Sequence, residues 1–116
     1  MKKFNLSDYK VQPQGKLSKR VIFQDNNVLA FILNFAPGAV LPNHTHFTST
    51  LLMKVMQGTA NVTIEGQIVP VTEGDLLQIE GSENMSVENT GNGKLELYIT
   101  LSPTPTAVDY AKDVDM

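Results

Sequence analysis

The chain has 116 residues, nine basic and twelve acidic side chains, a net charge of −3 and a pI near 5.2. That balance excludes the broad basic field that gathers nucleic acid or anionic lipid. A 41% apolar and 18% charged composition is that of a folded domain, not a disordered chain. The absence of cysteine excludes disulfides, zinc–thiolate sites, iron–sulfur clusters and thiol nucleophiles, and suits a reducing compartment. The length fits one domain spanning 1–116. Met1-Lys2-Lys3-Phe4-Asn5 runs into polar residues rather than an apolar signal core. No stretch has the apolar length of a bilayer span, so a soluble cytoplasmic protein without nucleic-acid or membrane partners is expected.

Along the chain, turn residues arrive about every eight to twelve positions, the spacing of an all-β sandwich or barrel. Lys16, Lys19 and Arg20 read as a solvated face. The first strand-like run, Arg20–Gln24, ends at Asp25-Asn26-Asn27, and the second, Val28–Phe35, ends at Ala36-Pro37-Gly38. Leu51–Met56 follows, then Gln57-Gly58 and Ala60–Ile64. Glu65-Gly66 then reads as a tight hairpin turn. Glu73-Gly74-Asp75 precedes Leu76–Ile79, and Asn89–Gly93 separates Ser86–Glu88 from Leu95–Leu101. Alternation in Asn61-Val62-Thr63-Ile64 and Lys94-Leu95-Glu96-Leu97-Tyr98 has the period of two of strands with one buried face. Pro103 and Pro105 end the last strand. The tail, 102–116, reads as a fraying arm or one short helical turn, with coverage of a pocket mouth as the second reading.

Both histidines of the chain lie together in His44-Thr45-His46. On a strand, residues i and i+2 share a face, so both imidazoles can converge on one point, as two nitrogens do around a metal at about 2.0–2.1 Å. Five residues separate Gly38 from His44, and eleven separate His46 from Gly58. Gly74, five residues, Glu80, Ser82, Met85 and Asn89 form a second spaced set.

These two sets resemble the paired motifs of the cupin superfamily, and Val55–Gln67 resembles the strand–hairpin segment between them. The resemblance covers about residues 28–101, the conserved barrel core, and leaves 102–116 as a C-terminal tail. It implies a cupin double-stranded β-helix: a jelly-roll β-barrel of two facing antiparallel sheets. It also implies a homodimer in which Met1–Leu6 or the tail pairs with the other subunit. In the family pattern three histidines and a glutamate hold a transition metal. Here the glutamate falls on Leu51 and the third histidine on Met85, leaving His44 and His46 as candidate metal ligands.

Two imidazoles without a carboxylate hold hard divalent ions weakly, and a thioether at Met85 would favour copper. The cofactor reading is therefore no certain cofactor, or a weakly held divalent transition metal or copper. Thr48, Ser49 and Thr50 are poor substitutes for the missing carboxylate. Strand parity puts Gln57 on the Leu51 face but far along it; Gln78 and Glu83 are the other candidates, Glu83 the best-placed carboxylate. Gly38, Gly58 and Gly74 are turn residues. Leu51 and Met85 read as repacked core or as walls of an apolar pocket.

Three functions follow. The preferred one is small-molecule binding in the barrel pocket by His44, His46, Leu51, Met53 and Met85, with little or no stable metal. The alternatives are a metal-dependent oxygenase or isomerase using an incomplete two-histidine site, and a structural or interaction barrel with a packed interior. No residue is singled out as catalytic.

Overall fold

The computed structural model describes residues 1–116, apart from the side chains of Val108 and Asp109. Its strands follow the alternation of the sequence. In Thr50–Gln57 the apolar Leu51, Met53 and Val55 are buried while Thr50, Leu52 and Lys54 face outward, as side chains on a half-covered sheet must. In chain order the strands are β1 (Leu17–Gln24), β2 (Leu29–Phe35), β3 (Val40–His44), β4 (Thr50–Gln57) and β5 (Thr59–Ile64), followed by β6 (Gln67–Thr72), β7 (Leu76–Ile79), β8 (Met85–Asn89), β9 (Leu95–Ser102) and β10 (Val114–Asp115). They form a six-stranded sheet, β10-β1-β2-β9-β4-β7, and a four-stranded sheet, β3-β8-β5-β6. Every pairing is antiparallel. This is the all-β architecture of two antiparallel sheets that the sequence predicts.

Core side chains come from both sheets. Phe35, Leu51, Met53, Leu97 and Leu101 of the larger meet Val62, Met85 and Val87 of the smaller in one cluster. β2 is buried at every position, because its outer face is covered as well. There Asn34 accepts from the Val11 amide and donates to the Tyr9 carbonyl, each at 3.2 Å. These bonds bind the N-terminal segment to the back of the larger sheet. The Glu65-Gly66 turn has φ of +48° and +79°, the two positive values that a tight hairpin with matching twist demands.

Four features depart from the sequence reading. β3 and β6 are strands that the pattern did not mark; each is a sheet edge, exposed over much of its length and carrying a proline, Pro42 or Pro70. A register shift between Val55 and Gln57 breaks the parity argument and leaves Gln57 exposed. The tail makes the short helical turn that is one of its two sequence readings, a 3₁₀ turn at Val108–Ala111, but then, instead of fraying, pairs β10 with β1 of the same chain, Ser18 opposite Asp115 and Lys19 opposite Val114. Lys19, read as solvated, is partly buried, with its ammonium 4.6 Å from the centre of the Phe31 ring. Among the described residues, no helix is long and apolar enough to cross a membrane.

Candidate functional site

β3 ends at His44, so His46 is not on the strand as the i, i+2 argument assumed; it lies in the following loop. The rings meet nonetheless, because that loop is fixed at both ends of a tight turn. The His46 amide donates to the Gly81 carbonyl at 2.8 Å, the Ser49 amide donates to the His46 carbonyl at 3.0 Å, and Phe47 between them has φ +57°. Gly81 is needed at this approach, since a Cβ there would collide with the carbonyl oxygens of Phe47 and Ser49. In the family's second motif a glycine falls at the position of Ser82 in the spaced set; here the glycine that the loop needs is Gly81, one residue earlier.

The two Nε2 atoms are 3.0 Å apart, with the rings edge to face at 70°. His44 Nδ1 lies 2.7 Å from the Pro42 carbonyl, an acceptor only, so Nδ1 carries the proton. With both rings neutral, His44 Nε2 must then accept, and His46 Nε2–H must donate. That leaves a bare lone pair on His46 Nδ1, which is buried without a hydrogen-bond partner. Burial, then the neighbouring His44 and Lys19, lower the His46 pKa to about 4. His46 is therefore a neutral acceptor at physiological pH.

Around this pair lies a cavity of about 90 Å³, walled by Phe31, Leu33, Leu41, Leu51, Met85 and Ile99, with Lys19 and Tyr110 completing the lining. Leu51 and Met85, the positions of the missing ligands, both line it. Met53 shares the strand face of Leu51 but is fully buried in the core and is not part of the lining. The substitute ligands lie elsewhere. Glu83 accepts from the Glu80 amide at 2.9 Å, and Gln78 is exposed and donates to Glu80 at 3.0 Å. Ser49 donates to the Pro103 carbonyl at 2.6 Å.

The separation of the Nε2 atoms would suit two neighbouring ligands of one ion. However, among the described residues no three His, Cys, Asp or Glu side chains gather as a metal site. The usual four-ligand divalent centre therefore does not fit these residues: two of its positions are apolar, and no carboxylate replaces the lost anionic ligand.

Sequence reasoning missed Lys19 and Tyr110 in this site. Lys19 had a signal: it shares the inward parity of Leu17 on β1. Tyr110 had none. It reaches the cavity only because β10 folds back on β1, and it donates to the Thr45 carbonyl at 3.1 Å. Its ring lies 6.2 Å from that of His46 and 6.4 Å from that of Phe47.

Comparison with known proteins agrees with this geometry. The family model for the cupin domain matches residues 31–101, and the chain belongs to the cupin family. Among solved structures it is similar to an uncharacterised conserved protein with a double-stranded β-helix domain from Klebsiella pneumoniae, at 16% identity and TM-score 0.82 over 98% of this chain and 96% of the other. It is also similar to an RmlC-like cupin from Shewanella frigidimarina, at 20% identity and TM-score 0.77 over 95% and 96%. An RmlC-like cupin protein from Desulfovibrio desulfuricans matches at 21% identity and TM-score 0.78 over 89% and 97%. A search of curated protein sequences found no match. The chain is thus a cupin-fold protein in which no complete cupin metal centre is found among the described residues.

Proposed function

We propose that this cupin binds a small, largely apolar molecule in the barrel cavity, with the imidazole pair as its polar handle. The observation that carries this reading is a partly open, apolar-walled cavity that His46 lines, together with the buried, unpartnered acceptor His46 Nδ1. An acceptor left without a partner costs about 1–3 kcal/mol, so a ligand donor that reaches Nδ1 when the neighbouring side chains shift would recover that cost. His44, His46, Leu51 and Met85 are the contacts proposed, and Met53 supports them from the core. A cavity also weighs against a purely structural barrel with a packed interior. The reading takes residues 1–116 as one domain, and family analogy extends it to a homodimer.

Pyrrole and furan, alike in shape but differing in the N–H donor, are the test probes. Pyrrole is expected to shift the amide NMR signals of cavity-lining residues at lower concentration than furan, and His44→Ala with His46→Ala to abolish the shifts. Equal, negligible perturbation by both probes would refute the reading. The metal-dependent enzyme reading rests on the 3.0 Å Nε2 separation. Elemental analysis of untagged protein from metal-supplemented cells decides it, with about one metal per chain making that reading primary.

A further inference from the structure

Outside the 90 Å³ cavity lies a hollow of about 350 Å³ lined by Lys19, Leu41, Pro42, Asn43, His44, Tyr110 and Met116. Lys19, Leu41, His44 and Tyr110 line both volumes, so they form the wall between them. Lys19, Leu41 and His44 stand on barrel strands. Tyr110 belongs to the C-terminal arm.

We propose that this arm, 107–116, is a lid, and that its release joins cavity and hollow into the chamber through which ligand enters. Tyr110 is then the residue that limits the size of what the closed cavity holds. The inference rests on the binding reading above and adds its gate. The arm's attachment suits that role. Its strand pairs with β1 at the sheet edge only over the last three residues, Val114 to Met116, so its departure leaves every other strand pairing intact. Its latches are polar: Tyr110 to the Thr45 carbonyl, Lys19 to the Tyr110 carbonyl, Asp115 to Ser18 at 2.7 Å and Arg20 at 2.9 Å, the Val21 amide to Asp113 at 2.7 Å, Arg20 to the Val114 carbonyl at 3.3 Å, and the Lys16 and Leu17 amides to the Met116 carbonyl. Among the described residues of the arm, Tyr110 is the one that packs against the core cluster, and it does so partly buried. Segments with few buried apolar contacts open at low free-energy cost, and lids are drawn from them.

The absence of cysteine permits a reversible lock. Leu17 and Met116 exchange both backbone hydrogen bonds, so Ser18 and Asp115 form the adjacent non-hydrogen-bonded pair, whose closer side chains suit a disulfide. In Ser18→Cys with Asp115→Cys, oxidation pins the arm; reduction frees it, with the Asp115 latch already removed. Access is read by diethylpyrocarbonate, which acylates unprotonated imidazole nitrogen, with the products located by mass spectrometry. His46 should react roughly tenfold faster in the reduced than in the oxidised variant, and faster still in Tyr110→Ala. His44, partly exposed and already lining the outer hollow, should gain less than His46. Equal His46 rates in oxidised and reduced protein would overturn the lid. A rise shared fully by His44 would do the same, because it reports loosening of the barrel. The reagent reads access rather than affinity, so a working gate without pyrrole binding would count against the ligand reading alone.

Discussion

A buried imidazole with no partner on one nitrogen couples stability to pH in a definite direction. The folded-state pKa of His46 lies near 4, below its ordinary 6.5, so the unfolded chain binds the extra proton first as pH falls. Nothing is lost above pH 6.5, and stability then declines down to about pH 4. The expected loss attributable to His46 is at most about 3 kcal/mol. Urea unfolding of wild type and His46→Gln across this window checks it: the two curves should converge or cross toward acid, because the glutamine does not titrate. Asn34 makes a second residue-scale case. It is fully buried and satisfies both Val11 N–H and the Tyr9 carbonyl. Asn34→Ala should cost about 1–3 kcal/mol and raise hydrogen exchange at the Val11 amide.

At the scale of elements, the loop between β3 and β4 decides whether two neighbouring histidines become a pair. It is braced by the segment around Gly81, whose carbonyl receives the His46 amide. Gly81→Ala would place a methyl group against two carbonyl oxygens of that loop. It is expected to cost about 1–3 kcal/mol and to move the His46 ring signals more than those of the distant β5–β6 hairpin. The motif was legible in the sequence, because His-x-His between spaced glycines is a local pattern. Its placement was not. Strand parity describes residues on a strand, and the strand stops at His44. The shift after Val55 defeats parity for Gln57 in the same way.

For the whole molecule, the cavity exists because two sheets face each other. Leu51 comes from β4 of the larger sheet, Met85 from β8 of the smaller, and both look into the space beside His44 and His46. Leu51→Glu with Met85→His should therefore rebuild a four-ligand centre. Without metal this variant should melt below wild type, because it buries a carboxylate. Nickel or zinc at about a hundredfold above Kd should restore about 2.7 kcal/mol, seen as a metal-dependent rise in Tm. A variant that gains no divalent affinity would mean that the four positions do not converge.

By itself, the sequence determined the class of fold. Alternating apolar residues can bury only one face of a strand, and residues such as Gly66 and Asn89 admit only certain turns; both constraints act over a few neighbouring positions. It also determined which two ligand positions of the family pattern are apolar, since the spaced residues on either side of Leu51 and Met85 fix the count. Tertiary structure alone decided the proton arrangement of the imidazole pair, the size of the cavity and the part played by the tail. Each depends on groups far apart in the chain, such as the His46 amide with Gly81 and Tyr110 with Thr45. Contacts of that kind leave no periodicity to read: they form only once the sheets have closed and the last strand has come back to the first.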